Sequence, residues 1–241
     1  FPSANVSDRL EKTFTSVNFN MMIMIIYALI TIAIFGMWYY ARYEGNFLPS
    51  PKKTFNPMMI VAIVILVPGT QFAANFIANL TGYIRPDWLQ QYNELFETSG
   101  ITDTTFVTVL YSVILAPICE ELIFRGVTMR CARKALPFAL ANLMQAALFG
   151  LFHLNWIQGI YAFALGIVLG YVCERGGSIY YSMGLHLLFN LWGTLSGFFP
   201  DPGNSVVVFV VVIVVTIVSL VAGFVLFNKG RRKLPINSTG I

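Results

Sequence analysis

Charge is what this sequence has least of. Only 11% of its 241 residues are Asp, Glu, Lys or Arg, where a soluble domain carries about 25%, and 57% are hydrophobic. A chain this poor in charge has too few polar side chains for a water-facing surface, which excludes an ordinary soluble domain and places it in a bilayer. Cysteine is scarce as well. Cys119, Cys131 and Cys173 are odd in number and lie within or beside apolar segments, so there is no disulfide framework. Cys119 adjoins Glu120, but a small buried hydrophobe is the plain reading of all three. The net charge of +4 is small, and its basic residues stand at the ends of apolar segments rather than along one aromatic-rich face. That excludes a nucleic-acid partner.

What the chain has instead is seven apolar stretches, at about 19–41, 57–82, 105–125, 137–153, 156–173, 178–198 and 204–228. A membrane-crossing helix needs about 20 mostly apolar residues, so the expected fold is an all-α, polytopic transmembrane helical bundle of about seven helices. It forms a single integral membrane domain over 1–241. The first stretch is too long for a removed signal peptide and lacks its small-residue cleavage site. The chain begins at Phe1 and not Met, which leaves room for residues, even another helix, ahead of it; seven is a minimum.

Positive residues mark cytoplasmic loops. Arg42, Lys52 and Lys53 follow the first stretch, while Asp87, Glu94, Glu97 and Asp103 outweigh Arg85 after the second. Arg130, Arg133 and Lys134 follow the third, Arg175 the fifth, Asp201 the sixth, and Lys229, Arg231, Arg232 and Lys233 the seventh. The tail is balanced, with Arg9 and Lys12 against Asp8 and Glu11. This alternation predicts a cytoplasmic C-terminus and an integral protein of the cell membrane.

Ionisable groups at membrane depth cost on the order of 2.5–3.5 kcal/mol each, and are functional or paired. Four stand out: Glu120, Glu121, His153 and His186, the last two being the chain's only histidines. Glu121 and Arg125 are four apart and share a helix face, where pairing lowers the cost of burying both. Glu120 points about 100° away and is left free. Phe149 and His153, and likewise His186 and Asn190, are each four apart, so each histidine has a same-face neighbour. If the third and fourth stretches form an antiparallel hairpin turning at Leu136–Pro137, Glu120 and His153 stand at one height. His186 lies nearer its own turn at Gly176–Gly177, so the helices must tilt or project if it is to join them. A carboxylate beside an imidazole in a semi-dry pocket can hold and deprotonate a water. Glu120 is the expected base, and His153 positions the water or shares its proton. His186 and Asn190 donate to the oxyanion formed from a peptide carbonyl, and Arg125 fixes Glu121. Pro117, one turn before Glu120, frees a backbone carbonyl.

At these residues the sequence resembles the CPBP family of CAAX proteases and bacteriocin-processing enzymes. That family's pattern is Glu-Glu-x-x-x-Arg, Phe-x-x-x-His and His-x-x-x-Asn, here Glu120, Glu121 and Arg125, Phe149 and His153, and His186 and Asn190, with Gly177-Ser178-Ile179 leading into the third motif. The resemblance covers about 105–198. It implies a glutamate-dependent intramembrane endopeptidase without metal or cofactor. Glu120 and His153 would activate water, His186 and Asn190 would stabilise the oxyanion, and a membrane-associated substrate would be cut near the cytoplasmic leaflet.

Three other readings compete. Glu121, Arg125 and the histidines are a polar lock between helices; or Glu120, His153 and His186 form a two-histidine, one-carboxylate zinc site; or the acids serve proton-coupled transport, with helices interrupted at Pro68–Gly69 and Pro117. A non-catalytic bacteriocin-immunity role is the further alternative. Gly166/Gly170 and Gly193/Gly197 read as packing surfaces, Trp38, Tyr39 and Tyr40 as an interfacial aromatic belt, and 206–215 as lipid-facing. Asn5, Asn79 and Asn237 head Asn-x-Ser/Thr triplets to which no role is given.

Overall fold

The computed structural model describes residues 17–41, 55–99, 105–196 and 205–231. They form helices α1 (Val17–Tyr39), α2 (Pro57–Ile84), α3 (Pro86–Ser99), α4 (Phe106–Ala132), α5 (Phe138–Phe152), α6 (Trp156–Gly176), α7 (Ile179–Ser196) and α8 (Val206–Arg231). Each predicted apolar stretch is one of these helices, and the fold is an all-α polytopic bundle. Five of them, α1, α2, α4, α6 and α8, are long and apolar enough to cross a membrane, and α5 is a shorter apolar helix. Arg42, Lys52, Lys53, Asp103, Asp201, Arg232, Lys233, Asn5, Asn237, Gly197 and the residues of the N-terminal tail lie outside the described residues.

The segment after α2 departs from expectation. It reads as a charged loop, yet Pro86–Ser99 is helical. Its polar composition hid it from a search for apolar runs, and Pro86 in the first turn suits a helix start. Trp88 stacks on Trp156 at the start of α6, with ring centroids 5.2 Å apart, while the Arg85 guanidinium lies 4.3 Å above Trp88. Arg85 also pairs with Asp87 at 2.6 Å, and its hydrogen bonds hold that exposed carboxyl below the usual carboxylate range.

Helix ends are fixed by polar side chains that tie distant elements together. Asn56 accepts from Met58 N at the start of α2, donates through Nδ2 to Gly230 O at the end of α8 (3.0 Å), and donates its backbone N–H to Tyr181 Oη in α7 (2.8 Å). Arg133 closes the α4–α5 turn by pairing with Glu174 near the end of α6 at 3.0 Å. Gly177 ends α6 with φ of 67°, the left-handed conformation that favours glycine. These ties gather the starts of α2, α5 and α7 and the ends of α4, α6 and α8 at one end of the bundle, together with Arg130, Arg133, Lys134, Arg175, Lys229 and Arg231.

Pro68 does not interrupt α2, which runs unbroken from Pro57 to Ile84. Ser219 of α8 bridges the gap that proline leaves. Gly69 N donates to its Oγ at 2.9 Å, and the hydroxyl donates to Ile65 O. A neighbouring serine can meet backbone groups that a transmembrane proline frees. Alongside, Gly223 and Gly230 of α8 admit Leu66 and Met59 of α2, where an added Cβ would stand 2.6 Å from either side chain. The outer face of α8 carries exposed Val206, Val207, Val210 and Val211, a surface suited to lipid.

Candidate active site

The two acids sit on an irregular helix. Within α4, Leu110–Leu115 and Leu122–Met129 are π-helical and enclose the α-helical turn Ala116–Glu121. Such widened turns recur at functional sites. Ala116 N–H donates to Tyr111 O, five residues back. In the same register the next donor would face Ser112 O, but residue 117 is proline and has no N–H. Asn190 of α7 takes that place, its Nδ2 donating to Ser112 O at 2.8 Å.

Glu121 and Arg125 are fully buried and pair at 2.9 Å. Arg125 also donates to Gly166 O of α6 at 3.3 Å, and its guanidinium lies 4.5 Å from the centre of the Phe149 ring. The Glu121 Oε1 atom that meets Arg125 also meets His186 Nδ1, at 3.0 Å. On the far side of that ring, His186 Nε2 stands 3.6 Å from Glu120 Oε2. A carboxylate paired with a guanidinium can only accept, so Nδ1 carries a proton and Nε2 is the nitrogen turned to Glu120. Glu120 keeps 15% of its side-chain surface against 3% for His186 and none for Glu121. Of the three, it is the one facing open space.

The imidazole that pairs with Glu120 is that of His186. His153 caps the C-terminal end of α5; its Nδ1 bonds Phe149 O at 2.9 Å and its ring meets Phe149 edge to face at 5.0 Å. Phe149 in turn meets His186 at 5.8 Å, so its ring adjoins both imidazoles. Since α4 stops at Ala132 and α5 starts at Phe138, Glu120 and His153 stand about 18 and 22 Å along their helices at 1.5 Å per residue. The π turns take up more residues per turn still, which shortens the rise from that turn to Glu120.

The profile of the family described as type II CAAX prenyl endopeptidase, Rce1-like, matches residues 102–192, a segment that holds Glu120, Glu121, Arg125, Phe149, His153, His186 and Asn190. The segment that carries the motifs is similar to this family over 91 of the chain's 241 residues. The protein is therefore a peptide hydrolase of the CAAX-protease type, an intramembrane endopeptidase carried by an integral membrane protein. No curated protein and no solved structure matches the chain.

The tyrosines around the acid of this CAAX protease escaped the sequence reading. Tyr27 of α1, Tyr111 of α4 and Tyr161 of α6 all lie within electrostatic reach of Glu120, and Tyr161 is hydrogen-bonded to Tyr92 of α3. Tyrosines in apolar segments look like packing or interfacial belts, so the one available signal was their polar tip at membrane depth. Ser112 was missed too, because its importance lies in its carbonyl. Among the described residues, no three His, Cys, Asp or Glu side chains converge as metal ligands would.

Proposed function

We propose that this CAAX-type protease hydrolyses a peptide bond of a membrane-associated substrate, prenylated or a peptide precursor, near the cytoplasmic leaflet, by water activated at Glu120. The observation that carries this reading is the ordered chain of contacts from Arg125 to Glu121 to His186 to Glu120. It ends on a carboxylate that is held in place and partly open. A purely structural lock would pair every acid it buries, whereas Glu120 meets only His186, at 3.6 Å, and keeps 15% of its side-chain surface.

In the reaction, Glu120 removes a proton from water as the oxygen adds to the peptide carbonyl carbon. The resulting oxyanion is stabilised by His186, when its Nε2 is protonated, and by Asn190, whose second amide hydrogen is not the one committed to Ser112 O. His153 donates Nδ1–H to Phe149 O, which leaves Nε2 as its proton-accepting nitrogen, suited to orienting the water or sharing its proton. Collapse of the intermediate breaks the C–N bond, and the proton returns to the leaving amine. The scheme uses no metal, cofactor or covalent intermediate. Residues 1–241 make one membrane domain with its reacting core at about 105–198, and the basic end of the bundle, with the C-terminus, faces the cytoplasm of a cell-membrane protein.

The test is cleavage of farnesylated and membrane-tethered peptides by the purified chain in detergent, comparing wild type with Glu120→Ala, each with and without a strong chelator. Activity that disappears with Glu120→Ala and ignores the chelator supports the scheme. Chelator sensitivity would transfer the chemistry to zinc, and cleavage surviving Glu120→Ala would remove Glu120 from it.

A further inference from the structure

Behind Arg125 the polar seam continues into α5 and α6. Gln145 is fully buried and Asn142 is 5% exposed, positions that carboxamides seldom occupy without a partner. Gln145 Nε2 donates to Gly166 O at 2.9 Å, the same carbonyl that accepts from Arg125, and to Asn142 Oδ1 at 2.7 Å. Asn142 Nδ2 donates to Ile167 O at 3.0 Å.

The glycines of α6 make room for this pair. A Cβ on Gly170 would stand 1.9 Å from Asn142 Oδ1 and 2.7 Å from Gln145 Nε2, and one on Gly166 would stand 3.1 Å from Ala146. The Gly166/Gly170 surface is thus a notch filled by carboxamides as well as a packing face. Gln145 lies one turn before Phe149 on α5, so a single helix face carries both the carboxamides and the ring over which Arg125 lies.

We propose that Gln145 and Asn142 are positioning residues of the site. They fix the Gly166 carbonyl and through it the Arg125 fork, which holds Glu121 and so sets the orientation and tautomer of His186 beside Glu120. Neither touches the reacting atoms in this scheme, and the proposal rests on the endopeptidase reading only for its kinetic arm.

The chain has two histidines, so ring-¹⁵N labelling of the full-length protein in detergent yields two imidazole spin systems, assigned with His153→Gln. The expected wild-type signature is a slowly exchanging Nδ1–H on His186. Gln145→Met, close in volume and unable to hydrogen-bond, should abolish that signal or shift it to the exchanging, tautomer-averaged position, and leave His153 unchanged. Asn142→Leu should do the same more weakly, and Gly170→Ala, which pushes both carboxamides aside, provides a third variant if Gln145→Met does not fold. Against a farnesylated CAAX peptide, Gln145→Met should lower kcat on the order of 10- to 100-fold with KM within about twofold.

An unaltered His186 signal in folded Gln145→Met would overturn the proposal whatever the kinetics. An altered signal with wild type that cleaves no peptide would uphold the positioning role and reject the endopeptidase reading. An altered signal with kcat intact would show that the seam does not serve catalysis, and that too would overturn it.

Discussion

Glu120 and Glu121 are chemically identical neighbours given different duties by a rotation of about 100°. Glu121 points inward, where Arg125 and His186 occupy one of its oxygens. Glu120 keeps 15% of its side-chain surface and meets only the far side of the His186 ring, at 3.6 Å. Their substitutions should therefore separate. Glu120→Gln is expected to lower kcat by about 10²- to 10⁴-fold, the usual contribution of a general base, with little change in thermal stability, because its carboxyl is partly open. Arg125→Met strands a buried carboxylate and should cost about 3–5 kcal/mol, read as a large fall in melting temperature in detergent. Removing both charges with Glu121→Leu and Arg125→Met should recover much of that stability without recovering cleavage. Were the double variant as unstable as Arg125→Met alone, the bonds that Glu121 and Arg125 make to His186 and Gly166 O, and not the stranded charge, would set the cost.

At the scale of elements, α4 decides the site, and Pro117 stands directly after the first of its two π segments. Pro117 leaves Ser112 O without its π-register donor, and Asn190 supplies one from α7. Asn190→Leu orphans that carbonyl at about 1–3 kcal/mol. In a Pro117→Ala background, where the backbone N–H is restored, the same substitution should cost distinctly less. A double-mutant cycle on thermal stability measures the difference, and additive penalties would mean that the two residues do not share the carbonyl. A second expectation concerns α5 and α6. A Cβ on Gly150 would stand 2.5 Å from Gly159 O, a backbone atom that cannot swing aside, so Gly150→Leu should separate these helices and lower both stability and activity.

Much of this was legible in the sequence, for reasons that also explain the rest. A run of apolar residues is a direct signature of a spanning helix, so α1, α2 and α5–α8 fall where hydropathy puts them to within a few residues, while α4 runs seven residues past the expected end at 125, to Ala132. The amphipathic α3 carries Asp87, Glu94 and Glu97, and an apolar-run criterion passes over it. Spacing of four residues sufficed to pair Glu121 with Arg125, because that contact stays within one helix. The contact between His186 and Glu120 depends on how far each helix has risen from its turn, and π-register leaves no mark that residue spacing reveals. Asn190 was singled out correctly while its partner was not, since a freed carbonyl belongs to the backbone and not to any motif.

For the whole molecule, the ties among Asn56, Tyr181, Gly230, Arg133 and Glu174 place one end of α4, α6 and α8 together with their basic residues. Cys131 is exposed at that end, in the last turn of α4, whereas Cys119 and Cys173 are buried. A membrane-impermeant maleimide should label Cys131 alone, and only from the cytoplasmic side of sealed vesicles. Labelling from the opposite side would invert the orientation, and modification of Cys119 or Cys173 in the folded protein would contradict the packing.

The spacing of the buried ion pair also bears on how the chain enters the bilayer during synthesis. Glu121 and Arg125 lie one turn apart on a single helix, so α4 carries that charge and its counter-charge together and can leave the translocon before any later helix exists. His186 is made 65 residues after Glu121 and can complete the seam only once α7 has inserted. Partition of α4 into the lipid is thereby separated from maturation of the site. A nascent chain halted before α7 would already be anchored in the membrane while still unable to cut the proteins around it.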